Sequence, residues 1–95
     1  MTQGRLVFRV HAVQRMYQRG VTEEDVRHVL ENGETIEEYL SSTPYPSRLI
    51  SGWCGTRPLH LVVAENSGDQ ETIVITVYEP DLSRWESGFT RRKEP

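Results

Sequence analysis

Three groups of side chains in this sequence have the types and spacing for chemistry. His60 lies in a strand-like run at residues 59–64, and Thr76 and Tyr78 lie in a second at residues 73–78. Strand side chains alternate between faces. Paired as a hairpin, the two runs put Leu59, Leu61, Val63, Ile73, Ile75 and Val77 on one aliphatic face. The other face carries His60, Val62 and Ala64 beside Val74, Thr76 and Tyr78, so an imidazole, a hydroxyl and a phenol come together. Histidine is the usual general acid or base near neutral pH. His11 and Arg15 form the second group, one helical turn apart and able to move a proton and hold a phosphate. Arg91 and Arg92 are a third, phosphate-binding candidate, and Trp85 and Tyr45 are aromatics that can stack on bases.

Each group has a plainer reading. A histidine in a sheet is commonly structural, bonded to a neighbouring hydroxyl, and His11 with Arg15 also suits a solvated helix face. Arg91 and Arg92 suit a frayed tail, and the aromatics suit the closing of a small core. On residue types alone the plainer reading is the commoner one for both histidines. His11, His28, His60 and Cys54 show none of the close ligand pairs of zinc sites, so no metal site is expected. There is no P-loop, dinucleotide fingerprint or serine nucleophile elbow. Cys54 reads as a small buried residue. Histidine, tyrosine and several arginines without a cofactor suit RNA cleavage by 2′-hydroxyl attack on the adjacent phosphate. That reaction needs a base, an acid and a cationic clamp.

The elements that must position these groups follow from periodicity. Residues 6–8 read as a first strand. Helix one spans 10–19, with Val13, Met16 and Tyr17 as its core stripe and Gly20 as its stop. Helix two starts at the N-cap Thr22, with Glu23, Glu24 and Asp25 in its first turn, and ends at Asn32 and Gly33. The short link between them predicts an αα-hairpin. Residues 34–40 and 48–54 read as strands, separated by a Pro-Tyr-Pro loop. Beyond Pro80, residues 81–86 suit one helical turn, followed by a basic tail from about residue 88 that is free to move. The expected architecture is one α+β domain over 1–95. Its N-terminal helices pack on one face of a mainly antiparallel sheet, and the other face is left open or is covered by the loop and the tail.

Length and composition bound the function. Ninety-five residues make one domain. No run approaches a membrane span, and residues 1–5 lead into a strand without an apolar signal region. A single cysteine suits a reducing, cytoplasmic compartment. The net charge of −3 excludes a generally basic, non-specific nucleic-acid binder. Its distribution is uneven: ten of the eleven basic residues are arginine, and they concentrate at the two ends. Seven acids lie between residues 21 and 38, against Arg27. One positive and one negative face are therefore expected.

The pattern Phe8…His11-Ala12…Arg15-Met16…Arg19-Gly20-Val21 is followed by Val29-Leu30-Glu31-Asn32-Gly33-Glu34…Ile36-Glu37…Tyr39. Further on stand Pro44-Tyr45-Pro46-Ser47, Leu59-His60-Leu61-Val62, Thr76-Val77-Tyr78-Glu79-Pro80-Asp81, Trp85 and Arg91-Arg92. Together these resemble small bacterial proteins of domain-of-unknown-function family four-two-five-eight over nearly the whole chain. The resemblance implies a RelE-like or barnase-like fold and a metal-independent endoribonuclease, the toxin of a toxin–antitoxin pair. Its implied partners are RNA, on or off the ribosome, and a cognate antitoxin with a zinc finger; a homodimer is also compatible with an exposed sheet edge. No cofactor is implied. Carried over by position, His11 or His60 transfers protons, Arg15, Arg91 and Arg92 hold the scissile phosphate, and Tyr78 orients the nucleophile or stacks on a base. The position before helix one, often Ser or Thr in that family, is Arg9 here, which leaves the helix without its usual cap. The alternative is a non-catalytic protein- or nucleic-acid-binding module of the same fold.

Overall fold

Apolar alternation sets the sheet, and two short amphipathic segments set the layer above it. The computed structural model describes residues 4–94. Residues 1–3, on which the expected absence of a leader partly rests, and residue 95 of the basic tail lie outside it. In chain order the elements are β1 (Arg5–Phe8), α1 (Val10–Arg19), α2 (Glu23–Asn32), β2 (Glu34–Tyr39), β3 (Ser47–Cys54), β4 (Arg57–Asn66) and β5 (Glu71–Tyr78). The strands form one mixed sheet in the order β1-β5-β4-β3-β2. β1 runs parallel to β5, and the other neighbours are antiparallel. The architecture is α+β, with two helices and five strands. Among the described residues no helix is long and apolar enough to cross a membrane.

Both helices contribute to one apolar cluster. Ala12 of α1 and Val26 and Val29 of α2 join Ile50, Leu59, Leu61, Val63, Val74 and Val77. Local chemistry fixes where the helices begin and end. The Thr22 hydroxyl accepts from the Asp25 amide at 3.1 Å, and the Asp25 carboxylate accepts from the Thr22 amide at 2.9 Å, a reciprocal capping box. Arg9 gives α1 no side-chain cap, and Gly20 closes it in the left-handed region at φ 65°. α2 lies close on β3 because Gly33 and Gly52 carry no side chain. A Cβ on Gly33 would meet the Ser51 carbonyl oxygen at 2.6 Å, and one on Gly52 would meet Val29 at 2.9 Å.

The structure corrects two expectations about faces. The buried stripe of α1 is Ala12 with Met16, while Val13 and Tyr17 are exposed. α1 lies against β5 near the sheet edge, so only a narrow flank is covered, and the small Ala12 permits close approach. In β5 the register shifts: Val62 pairs Thr76 but Val63 pairs Val74, which leaves Ile75 as an extra residue. This β-bulge moves Val74 onto the core face, fully buried, and leaves Ile75 half-buried.

The sheet face that carries Ser51 and His60 is covered in part by residues 80–94, here called the C-terminal strap. The strap begins with a single turn in which the Trp85 amide bonds the Asp81 carbonyl at 3.1 Å. It then doubles back, with Trp85 bridged to Arg92 and the Lys93 amide bonded to the Arg84 carbonyl at 2.9 Å. Phe89 and Trp85 are its anchors on the sheet.

Candidate active site

Register brings His60 between Ser51 of β3 and Tyr78 of β5. All three face the strap. His60 is fully buried, under the edge of the Trp85 ring at 4.5 Å between centroids. Its Nε2–H donates to the Phe89 carbonyl at 2.7 Å, and its Nδ1 accepts from the Tyr78 hydroxyl at 3.1 Å. A carbonyl can only accept, so the bond to Phe89 sets the tautomer. The Ser51 hydroxyl donates to the same carbonyl at 3.2 Å. Burial lowers the His60 pKa below its ordinary value; the Phe89 carbonyl opposes this, Arg92 adds to it and Glu37 opposes it. The imidazole is therefore neutral at pH 7. Burial likewise raises the Tyr78 pKa, so the phenol keeps its proton.

Arg92 locks the strap from outside. Its guanidinium lies over the Trp85 ring, 4.6 Å from the centroid, and pairs with Glu37 through bonds of 2.6 and 3.1 Å. The Tyr39 hydroxyl donates to the same carboxylate. The bond from Arg92 is the main cause that holds the Glu37 carboxyl below its usual range, and the same pairing raises the Arg92 pKa.

Beside this network opens a cleft of about 560 Å³. α1 contributes Arg15 and Arg19, β5 contributes Thr76 and Tyr78, and the strap contributes Arg84, Trp85 and Arg92. Glu79 and Asp81 are its acids. Glu79 is paired with Arg57, and Arg92 with Glu37. Among the described residues Arg15, Arg19 and Arg84 form no ion pair, although the Arg84 charge acts on Asp81 across the cleft. A larger groove, about 660 Å³, lies at the other end of β5, lined by Glu31, Glu65 and Glu71 with Arg48. Arg48 is paired with Glu65, so that groove has the wrong sign for a phosphate.

Of the residues singled out in the sequence, the cleft unites Arg15, Tyr78, Trp85 and Arg92, with His60 bonded behind Tyr78. His11 is exposed one turn before Arg15 and does not line the cleft. Arg91 is exposed and also outside the lining, and half-buried Tyr45 belongs to the loop between β2 and β3. Arg19 and Arg84 are members that the sequence reading did not assign to a site. The repeat of arginine at one-turn spacing, Arg15 then Arg19, was the available signal for the first; Arg84 had none apart from its place beside Trp85.

The arrangement combines an unpaired cationic wall, a protonated phenol and a neutral imidazole that accepts from it. No curated protein and no solved structure shows significant similarity to this chain. Residues 8–79 match the model of the family described as Domain of unknown function (DUF4258), so the stretch from Phe8 to the end of β5 that builds one wall and the floor of this cleft belongs to that family, and so does the chain.

Proposed function

We propose that the cleft binds RNA by its phosphates and cleaves it by attack of a 2′-hydroxyl on the adjacent phosphorus. The observation that carries this reading is the Tyr78 hydroxyl. Tyr78 lines a cleft with three guanidinium groups that form no ion pair, and its hydroxyl proton is already directed at Nδ1 of a neutral histidine. In the reaction the 2′-hydroxyl gives its proton to the Tyr78 oxygen while Tyr78 passes its own proton to His60. The bond from O2′ to phosphorus forms and the bond to O5′ breaks, leaving a 2′,3′-cyclic phosphate. The departing 5′-oxygen takes a proton from water, and His60 returns its proton through Tyr78 to the hydroxide so formed, which restores the neutral imidazole and the water. Arg15, Arg19 and Arg84 stabilise the charge on the phosphorane. Phe89 holds His60 in the required tautomer through its carbonyl. On this reading the chain is an endoribonuclease of the RelE-like or barnase-like kind, the toxin of a pair held inactive by a cognate antitoxin.

One observation favours a second reading, a binding module without chemistry. His60 is fully buried, and both ring nitrogens are already bonded. The test is incubation of the purified chain with a structured RNA in excess EDTA, reading product ends. Cyclic phosphate ends that fall ~10²–10⁴-fold in Tyr78→Phe, the range for loss of one acid–base group, support catalysis. Tight RNA binding with no cleavage, on free RNA or on translating ribosomes, supports the binding module.

A further inference from the structure

The sheet face under the strap carries a row of polar side chains where apolar ones would close a core at no cost in donors. Ser51, His60 and Tyr78 cross three adjacent strands, and Ser51 and His60 are buried. Two of their donors converge on a single atom. The His60 Nε2–H and the Ser51 hydroxyl both donate to the Phe89 carbonyl oxygen, at 2.7 and 3.2 Å. Without that oxygen both would be buried donors with no acceptor.

The oxygen is supplied by the tip of the strap, residues 86–91. The tip closes on itself: the Glu86 amide bonds the Arg91 carbonyl and the Phe89 amide bonds the Glu86 carbonyl, both at 2.9 Å. Its hold on the sheet is slight. Among the described residues its hydrogen bonds to the sheet are the two at the Phe89 carbonyl. The half-buried Phe89 ring meets the exposed Trp53 ring edge-on, 5.8 Å between centroids. The turn that aims the carbonyl is strained. Gly88 stands at φ 93°, and Phe89 follows at φ 63°, a region that bulky side chains rarely enter.

We infer that the Phe89 carbonyl stands in for a phosphate oxygen, and that Ser51 and His60 form a second phosphate subsite, closed at rest by the strap tip. The inference rests on the RNA reading of the neighbouring cleft and makes a strand with two phosphates the ligand. The two sites adjoin. Tyr78 lines the cleft, and its hydroxyl bonds the other nitrogen of the same imidazole. A phosphate oxygen accepts as the carbonyl does, so His60 keeps its tautomer and its Nδ1 stays with Tyr78. The phosphate also carries charge, and hydrogen bonds to a charged acceptor are about twice as strong as neutral ones. Arg92, stacked on Trp85 and close enough for its charge to act on His60, supplies the cation. Trp85 and Arg92 are bridged to each other behind the tip, so residues 86–91 swing out while Trp85 stays over His60.

The experiment uses the full chain and 2′-O-methyl oligouridines of two and three nucleotides, which carry one and two phosphates and lack the attacking hydroxyl. Binding is followed by calorimetry, and the contact between the Phe89 and Trp53 rings by NMR cross-peaks. The trinucleotide should bind and abolish the cross-peaks; the dinucleotide should leave them. Gly88→Ala provides a neutral way to loosen the tip: its Cβ meets nothing within 4 Å, so the positive φ alone resists it. It should tighten the trinucleotide by about tenfold, because less of the closed form has to be displaced, and leave the dinucleotide unchanged. Ser51→Ala should weaken the trinucleotide more than the dinucleotide, whereas a serine that merely holds the tip down would tighten it. Trinucleotide binding with the ring contact intact, or affinity unmoved in Gly88→Ala, overturns the inference and leaves the RNA reading standing. If neither oligonucleotide binds, the RNA reading falls, and inorganic sulfate decides the subsite: loss of the ring contact in Gly88→Ala on adding sulfate supports it, and an intact contact overturns it.

Discussion

His60 donates its Nε2 proton to the carbonyl of Phe89 across 2.7 Å and so ties the centre of the sheet to the C-terminal strap. The bond has a direction. It requires a proton on Nε2, and the bond from Tyr78 to Nδ1 requires none there. Neutral histidine satisfies both partners at once.

Stability should fall as pH drops below about 6.5. Burial lowers the folded-state pKa of His60 from its ordinary 6.5, so between the two values the unfolded chain binds more protons than the folded one. The stability is complete above pH 6.5 and is lost towards the lowered value, with a slope of at most about 1.4 kcal/mol per pH unit. Glu37, itself held low mainly by Arg92, keeps its own contribution until more acidic pH. Urea midpoints of wild type and His60→Gln at pH 7.5, 6.5 and 5.5 check this; equal slopes in the two proteins would contradict it.

Trp85→Ala should cost about 3–5 kcal/mol, as for other buried aromatic truncations, because Trp85 is only 3% exposed and covers His60. It should also raise the His60 pKa towards 6.5 as water reaches the ring. An NMR titration of the imidazole separates this from simple destabilisation. An unmoved pKa would mean that the sheet alone keeps the ring dry.

Val74→Ala should cost about 2 kcal/mol or more, because two buried methyl groups are lost from the core face. Ile75→Ala should cost less, although it removes more atoms, since the bulge leaves Ile75 half-buried. Chemical denaturation of the two variants decides the order. The reverse order would restore an unbroken alternation along β5.

That pair of residues also marks the limit of what the sequence discloses. β4 and β5 were legible as strands because aliphatic and β-branched residues alternate through them, and α2 was legible from Thr22 and its acidic first turn. Nothing in the order Ile73-Val74-Ile75 betrays a bulge, since all three positions are equally apolar. The stripe of α1 was misplaced for a related reason. Val13 and Tyr17 outrank Ala12 in apolar area, but the close approach of the helix to β5 selects the smallest side chain, with Met16 beside it as expected. The meeting of His60 with Tyr78 follows from period two and was legible. The meeting of His60 with Phe89, and of Arg92 with Glu37, depends on the path of the strap over the sheet, which no local periodicity records.

The salt dependence of RNA binding should divide the arginines into two classes. Each phosphate neutralised on a single strand contributes about 0.7 to the slope of log K against log salt. Arg15, Arg19 and Arg84 line the cleft without ion pairs, so replacing each by Gln should weaken oligouridine binding and lower the slope by about that amount. Arg91 is exposed outside the cleft, and Arg91→Gln should leave the slope unchanged. Arg92 is the instructive intermediate. It lines the cleft, but its charge is engaged by Glu37, so Arg92→Gln should act mainly by loosening the strap. Its signature is a lower melting temperature with little change in slope. Anisotropy titrations at several salt concentrations resolve the classes, and a slope that drops for Arg91→Gln but not for Arg15→Gln would move the RNA path out of the cleft and onto the tip of the strap.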